Sequence, residues 1–349
     1  MPQTTQDVQK IASFVVSQMF QVQPDEMVVV TSDDGANHAV VDAIAAHAHQ
    51  AGGKVVVMRT PLFKGRVTLV DASISAEFYT AALAHADIWI DANQHDFLYS
   101  GTWNRIMAAN QRLRYLLLGD LSTEILGQLF GGFDVPTMLE LCDRLKVLIE
   151  AGSHMRVTNP QGTDITYALE PAHLVAVDCG AIKTHGLYTP PALVNIVPRF
   201  GSANGVIVFD AVYDAYPDKQ LSAPLTLTVE NSEIVAAHGN QYAEQFMLNL
   251  DNATDRNARK VAHMNFGLLP TIRALTGYVV VDERVWGVTN WGFGSVSPVD
   301  APPNGQPSGS HFDAICTQSS VWIDDVPIAE DGHFVHPSLA KVANDLLVS

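Results

Sequence analysis

The chain has 349 residues, 47% of them hydrophobic and 16% charged, and its 37 acidic and 20 basic side chains give a formal net charge of -17. This length suits one large or two ordinary domains, because single hydrophobic cores stop growing at roughly 250–300 residues. The acidic balance argues against nucleic acid as a partner, since a polyanion would be repelled and no basic patch interrupts the sequence.

Neither a membrane span nor a secretory signal is predicted. The longest apolar runs, such as Met27–Thr31, are far shorter than the roughly 20 residues needed to cross a bilayer. The N-terminus has neither a basic region nor an apolar region, so we expect a cytoplasmic protein. The three cysteines, Cys142, Cys179 and Cys316, are widely spaced, which favours buried small residues over a disulfide framework or a thiolate zinc site.

The first 150 residues alternate β-rich runs with helical patterns, which predicts an α/β domain built on a doubly wound, mostly parallel sheet. Strands are expected at Met27–Thr31, Lys54–Arg59, Asp87–Asp91 and Arg114–Gly119. Helices are expected near residues 6–21, 37–50, 75–85 and 136–150. The loop at residues 31–37 contains one glycine and two carboxylates, which argues against a phosphate-binding site for a nucleotide.

From about Ala151 the pattern changes to short alternating runs separated by Pro, Gly and Asn, which predicts a β-rich α+β domain over residues 151–349. Strands are expected at Met155–Thr158, Asp164–Leu169, Gly205–Phe209 and Leu225–Val229, with one helix around Tyr242–Leu250.

A metal site is predicted in this second half. Residues two apart on a strand point to the same side, so His311 and Asp313 would aim an imidazole and a carboxylate at one point. His263 lies in an apolar stretch and is the best third ligand, although a buried histidine hydrogen-bonded to a backbone carbonyl is the alternative. Two histidines and one carboxylate suit non-haem Fe(II), and the same set can hold a catalytic zinc.

The order of these segments resembles a known enzyme family. His263 stands in a His-x-x-x-Gly-Leu-x-Pro context, residues 284–294 read Arg-Val-Trp-Gly-Val-Thr-Asn-Trp-Gly-Phe-Gly, and residues 310–313 read Ser-His-Phe-Asp. This arrangement resembles the 2,5-dihydroxypyridine 5,6-dioxygenases, relatives of the aminopeptidase T and aminopeptidase S metallopeptidases. The resemblance covers nearly the whole chain in layout, and its specific part is residues 263–313.

The resemblance implies an oligomeric two-domain protein that holds one Fe(II) at His263, His311 and Asp313 and opens a hydroxylated pyridine ring with O₂. It implies one metal because the peptidases hold a second with residues that are replaced here. His263 stands where the peptidases have Glu, Asn290 where they have His, and Arg199 where a ligand Glu would lie. Loss of these carboxylates removes charge that would offset a second dication.

The same resemblance implies the remaining site residues. The dioxygenases place a His base shortly before a Pro-rich strand, where this chain has Tyr188, with His185 three residues earlier. Either side chain could accept a proton from a substrate hydroxyl. Arg284 and Asn290 are expected to bind substrate, since the paired N–H donors of arginine suit an anionic ring substituent. His95, at the end of an N-terminal strand, is a further catalytic candidate.

The sequence therefore predicts an Fe(II)-dependent ring-cleaving dioxygenase whose partners are O₂ and a small hydroxylated aromatic or N-heteroaromatic compound. One alternative is a metal-dependent hydrolase of the aminopeptidase T type, which would use Zn or Mn to cleave peptide or amide bonds. The other is a non-catalytic α/β binding protein, which would bind no metal.

Overall fold

A computed structural model describes residues 3–62, 70–119, 121–210, 223–239, 241–272 and 274–348. The chain divides into two compact units. Unit 1 comprises Met1–Val135 and Gly180–Pro191, and unit 2 comprises Pro136–Cys179 and Ala192–Ser349. The domain boundary expected at residue 150 stays a prediction.

The helices and strands up to residue 151 are α1 (Gln3–Ser13), β1 (Met27–Asp33), α2 (His38–Gln50), β2 (Lys54–Thr60), α3 (Val70–Ser73), α4 (Ala76–Leu83), β3 (Ile88–Asp91), α5 (Gly101–Ala109), β4 (Arg114–Leu117), α6 (Thr123–Leu129) and α7 (Val135–Ala151). A π-helical segment, Phe14–Met19, continues α1. The expected strands and helices of this half are confirmed, while α3, α5 and α6 were not expected.

The elements after residue 151 are β5 (His154–Thr158), β6 (Asp164–Ala168), β7 (Val175–Asp178), β8 (Gly186–Tyr188), β9 (Leu193–Ile196), β10 (Asn204–Phe209), β11 (Leu225–Glu230), β12 (Glu233–His238), α8 (Ala243–Asn252), β13 (Val261–Gly267), α9 (Val279–Asp282), β14 (Thr289–Val296), β15 (Gln306–Cys316), β16 (Ser320–Ile323), β17 (Val326–Glu330), β18 (His333–Phe334) and α10 (Ala340–Val348). A short 3₁₀ helix covers Arg256–Arg259. The expected strands and the helix near residues 242–250 are confirmed.

Unit 1 is built on a parallel sheet with the strand order β2-β1-β3-β4-β8. Strand β1 pairs with β2 on one side and β3 on the other, so that Val28 lies opposite both Val55 and Ile88. Four strands come from the first 120 residues, and the fifth, β8, comes from the returning segment at residues 180–191. This order, with its reversal between β1 and β3, is that of a doubly wound α/β sheet. The predicted fold class is confirmed for this unit.

Asp91, at the end of β3, is a buried carboxylate that joins three parts of unit 1. It accepts hydrogen bonds from the Tyr115 hydroxyl at 2.9 Å, the Thr31 hydroxyl at 3.2 Å and the Phe97 backbone N–H at 2.7 Å. Burial raises the pKa of Asp91 to about 6, and the nearby charge of Asp96 adds to this effect. The hydrogen bonds act in the opposite direction, because they stabilise the ionised form.

Unit 2 contains two antiparallel sheets. Their orders are β12-β11-β10-β6-β5-β16-β17-β18 and β15-β14-β13-β9-β7. The two sheets pack through aromatic side chains: Trp291 meets Tyr167 at a ring separation of 6.0 Å, and Phe293 meets Phe209 at 6.1 Å. Successive residues of a strand point to opposite faces. The other face of β14 therefore carries Asn290, Gly292 and Gly294, which alternate with these two aromatics.

Two expectations from composition can be compared with the described residues. Cys142, Cys179 and Cys316 are buried, as predicted. Among the helices that the structure describes, none combines the length and the apolar character needed to cross a membrane.

Candidate metal centre

Three neighbouring strands of unit 2 bring the predicted ligands together. In the β13–β14 ladder His263 lies opposite Gly292, and in the β14–β15 ladder Gly292 lies opposite Asp313. His311 lies two residues before Asp313 and opposite Gly294, so both β15 ligands share one face. On β14 this is the face opposite the packed aromatics Trp291 and Phe293.

The three side chains form a compact cluster. His263 Nε2 lies 3.2 Å from His311 Nε2 and 3.5 Å from Asp313 Oδ1, and His311 Nε2 lies 3.2 Å from Asp313 Oδ2. Within the described part of the chain, this is the group of His, Cys, Asp or Glu side chains whose ligand atoms all lie within 4.8 Å of one another. The expectation that the chain would bring these residues to one point is confirmed, while their role as ligands stays a prediction.

The geometry fits one metal ion. Two nitrogen donors that each lie about 2.1 Å from an ion, at 90–109° to one another, are about 3.0–3.4 Å apart. The separation of 3.2 Å between the two Nε2 atoms falls in this range. Two unprotonated imidazole nitrogens at that distance repel each other through their lone pairs unless a proton or a cation lies between them.

The hydrogen bonding of His311 favours the same interpretation. Its Nδ1 lies 3.1 Å from the backbone carbonyl oxygen of Ser295, which can only accept. Nδ1 therefore carries the proton, and the lone pair is on Nε2, the atom that faces His263 and Asp313. A second ring nitrogen fixed by a carbonyl is the usual environment of a metal-binding histidine.

The protonation states of the other two ligands also suit a cation. Burial lowers the pKa of His263 to about 4, although Asp313 and Asn265 oppose this effect by favouring the protonated ring. Burial by itself would raise the pKa of Asp313, but a hydrogen bond from His311 when its ring is protonated, together with the positive charge of protonated imidazoles, outweighs burial and holds the pKa below its usual value. A neutral imidazole and an ionised carboxylate are the forms that bind metals.

A second group of polar residues adjoins the ligands. Asn265 on β13 lies opposite Asn290 on β14, two residues from His263 and Gly292 respectively. Both asparagines are buried, and Asn290 Nδ2 donates to Asp313 Oδ1 at 2.8 Å. The predicted substrate-binding residue Asn290 is thus in contact with a predicted ligand.

Sequence reasoning missed Asn265, Gly292 and Glu283. Glu283 accepts hydrogen bonds from Asn290 Nδ2 at 3.2 Å and from Asn265 Nδ2 at 3.5 Å. Gly292 leaves space between the two ligand-bearing strands, since a Cβ added to it would lie 2.2 Å from His263 Nε2. The alternation Asn-x-Gly-x-Gly at residues 290–294 was the available signal, because it places small and polar residues on one face of the strand.

Arg284, the predicted substrate anchor, is buried at 2% exposure. Its Nη1 donates to the backbone carbonyl of Val280 at 2.6 Å and forms a short ion pair with the adjacent Glu283. These two protein partners occupy the donors of Nη1. Direct substrate binding by Arg284 stays a prediction.

The three predicted catalytic residues all belong to unit 1. His185 directly precedes β8, and its Nδ1 lies 2.9 Å from the carbonyl oxygen of Leu113. Tyr188 ends β8, and its hydroxyl donates to the carbonyl oxygen of Thr184 at 3.1 Å. His95 lies in the loop after β3, where its backbone N–H faces Asp33 Oδ2 at 3.4 Å. Their catalytic roles stay predictions.

Comparison with known proteins identifies a family. The model of a family described as NicX, 2,5-dihydroxypyridine 5,6-dioxygenase, matches residues 12–336. This match confirms the resemblance drawn from residues 263–313. A search of curated proteins finds no match.

Two solved structures are similar over nearly their full lengths. The 2,5-dihydroxypyridine dioxygenase from Pseudomonas putida KT2440 has a TM-score of 0.75 at 17% identity, covering 97% of this chain and 98% of its own. Wild-type AmpT from Thermus thermophilus has a TM-score of 0.66 at 14% identity, covering 95% of this chain and 99% of its own. At these identities the likeness shows the fold, which a dioxygenase and an aminopeptidase T share.

Proposed function

We propose that this chain, which belongs to the 2,5-dihydroxypyridine 5,6-dioxygenase family, binds one Fe(II) through His263, His311 and Asp313 and opens the ring of a small hydroxylated N-heteroaromatic compound with O₂. The observation that carries this proposal is the convergence of two imidazole nitrogens and one carboxylate within 4.8 Å on a single sheet face. The compound proposed first is 2,5-dihydroxypyridine.

The ligand set supports an oxidative role. Fe(II) bound by two histidines and one carboxylate keeps open coordination positions for O₂ and a substrate oxygen. One carboxylate ligand offsets only half of the charge of a dication. The remaining positive charge would favour a substrate with an anionic ring oxygen. A hydroxypyridine that has lost a hydroxyl proton meets this requirement.

The polar residues beside the ligands support a substrate with hydrogen-bond donors. Asn290 Oδ1 is buried and has no hydrogen bond to the described part of the chain. An unpaired buried acceptor costs about 1–3 kcal/mol, which a ring N–H or hydroxyl of the substrate could recover. We therefore assign Asn290 to substrate binding.

We assign the base role to His185. A neutral imidazole accepts a proton near neutral pH, whereas a phenol must first lose its own. The Leu113 carbonyl oxygen accepts a hydrogen bond from Nδ1–H and so fixes the tautomer in which Nε2 is the acceptor. Tyr188 and His95 remain the alternatives for this role.

The hydrolase alternative makes a different prediction from the same ligands. Zinc or manganese in this site would activate water for peptide or amide cleavage. Asn290 and His263 occupy positions where the resemblance gives the peptidases His and Glu, so the charge that would hold a second ion is reduced.

Oxygen uptake distinguishes the two functions. The apoprotein is loaded anaerobically with Fe(II), mixed with 2,5-dihydroxypyridine in aerated buffer, and compared with protein loaded with Zn(II). We expect one O₂ consumed per pyridine ring opened with Fe(II), none with Zn(II), and no turnover of 2-hydroxypyridine, which lacks the second hydroxyl. The same assay compares the variant His311→Ala with a matched control, His154→Ala. His154 is an exposed histidine of the same unit. Hydrolysis of amino-acid amides by the Zn(II) form, without oxygen uptake by the Fe(II) form, would overturn the proposal.

A further inference from the structure

A largely buried carboxylate lies behind the metal ligands. Glu283 follows helix α9, and its side chain is 15% exposed. Its Oε2 accepts from the amide nitrogens of Asn290 at 3.2 Å and Asn265 at 3.5 Å. The two asparagines lie opposite each other on β13 and β14, so a single carboxylate contacts side chains of both strands.

Each asparagine leads from Glu283 to a different predicted ligand. Asn290 Nδ2 also donates to Asp313 Oδ1 at 2.8 Å. Asn265 follows His263 by two residues on the same face of β13, so its side chain is placed beside the His263 ring.

The direction of the Asn265 amide is set by Glu283. An ionised carboxylate can only accept, so the amide nitrogen must face Glu283 and the amide oxygen must face away from it. Asn265 Oδ1 and His263 Nδ1 are both buried and lack a hydrogen bond within the described residues. A hydrogen bond between this acceptor and this donor would leave the lone pair of His263 on Nε2, the atom that faces the other ligands.

A buried charge such as that of Glu283 needs a counter-charge, and Arg284 supplies it. The guanidinium pairs with Glu283 and is anchored to the Val280 carbonyl at the same time. Without Arg284, the carboxylate would be buried beside Asp313, another negative group, at a large electrostatic cost. The conformation of the Glu283 side chain is therefore fixed on one side by Arg284 and on the other by two amides.

We propose that Glu283 is a positioning residue that aligns His263 through Asn265 and Asp313 through Asn290, with Arg284 as its counter-ion. The inference rests on the proposed metal site. It gives Arg284 a role inside the protein besides its predicted role in substrate binding. Partners that orient metal ligands in this way typically contribute 10–100-fold to metal affinity.

Cobalt(II) is a suitable probe, because its visible spectrum reports coordination geometry and its binding needs no turnover. Apoprotein is titrated with Co(II) in competition with a chelator of known affinity, for the wild type and for Glu283→Gln. Glutamine has nearly the same shape but only one acceptor oxygen and no charge, so it cannot accept from Arg284 and from both asparagines as the two carboxylate oxygens of Glu283 do. We expect Glu283→Gln to bind Co(II) about 10–100-fold more weakly and to show an altered visible spectrum.

Asp282→Asn is the matched control. Asp282 is the neighbouring buried carboxylate, and it holds the backbone N–H groups of Thr276 and Gly277 at 2.7 Å. Its loss should lower the melting temperature but leave the Co(II) affinity within about threefold and the spectrum unchanged. A second variant, Asn265→Leu, removes the proposed link between Glu283 and His263. It replaces Glu283→Gln in the titration if Glu283→Gln does not fold. It too should weaken Co(II) binding about tenfold or more.

The outcomes separate the two proposals. If the wild type binds Co(II) and folded Glu283→Gln or Asn265→Leu binds it with the same affinity and spectrum, the positioning role is wrong and the metal site stands. If the wild type binds no Co(II), or His311→Ala binds it equally well, the metal site itself is wrong, and the positioning role is overturned with it.

Discussion

Gly292 lies directly between two predicted metal ligands. It is paired with His263 on one side and with Asp313 on the other, and a Cβ on Gly292 would lie 2.2 Å from His263 Nε2. The His263 ring lies so close to the backbone of residue 292 that only glycine fits at this position. The space within the proposed metal site therefore depends on Gly292, which is not itself a predicted ligand.

Gly292→Ala should disable the site while leaving the sheet folded. The added methyl group must displace the His263 ring, and we expect Co(II) affinity to fall at least tenfold. Gly309→Ala is the matched control, since Gly309 lies on β15 and its added Cβ would meet nothing within 4 Å. Equal Co(II) binding by the two variants, measured by chelator competition, would contradict this account of Gly292.

Metal binding should stabilise the folded protein. A ligand that binds only the folded state raises the unfolding free energy by about 2.7 kcal/mol when its concentration is 100 times its dissociation constant. We expect Fe(II) under anaerobic conditions to raise the melting temperature of the wild type, and a chelator to reverse the change. His311→Ala should show no such rise, and His154→Ala should behave as the wild type does. A similar rise in all three proteins would place the stabilising ion elsewhere.

Asp91 should make the stability of the protein depend on pH in the acid range. Its pKa is raised from 3.8 to about 6 in the folded protein, so the folded state binds the proton more tightly than the unfolded chain does. This contribution to stability is fully present below pH 3.8 and is lost as the pH rises through 6, to a total of at most about 3 kcal/mol.

The pH dependence can be tested by urea unfolding of wild type and Asp91→Asn. Asparagine cannot ionise, so the difference in unfolding free energy between the two proteins should be larger at pH 4.5 than at pH 7.5. Asp25→Asn is the control, because the Asp25 side chain is 80% exposed. A difference for Asp91→Asn that is independent of pH would show that this carboxyl group titrates alike in both states.

His185→Gln should lower kcat much more than metal affinity. Loss of a general base typically costs 10²–10⁴-fold in rate. We expect Tyr188→Phe to retain activity within about tenfold, and both variants to bind Co(II) as the wild type does. The opposite ranking of the two variants, measured as kcat in the Fe(II) oxygen-uptake assay, would assign the base to Tyr188.

The sequence predicted the elements whose patterns are local. The alternation of strands and helices in the first half, and the extended segment that holds His311 and Asp313, follow from periods of 3.6 and 2 that neighbouring residues set. The pairing of β8 with β4 could not be read in this way, because it joins residues about 70 positions apart and β8 has only three residues.

The sequence indicated the predicted ligands of the candidate site, but not the residues that contact and orient those ligands. His263, His311 and Asp313 are residue types that bind metals, so type and spacing select them. Glu283 has no such signal, since it is one of 37 acidic residues and acts through two asparagines. Arg284 gave no signal of its internal partners either, because only the tertiary structure shows that its guanidinium faces Glu283 and Val280.

Metal content tests the central claim most directly. Protein purified anaerobically is analysed for metals by elemental analysis, beside His311→Ala and the control His154→Ala. The account predicts about one iron per chain in the wild type and in His154→Ala, and almost none in His311→Ala. Two zinc or manganese ions per chain, or equal iron in all three proteins, would contradict it.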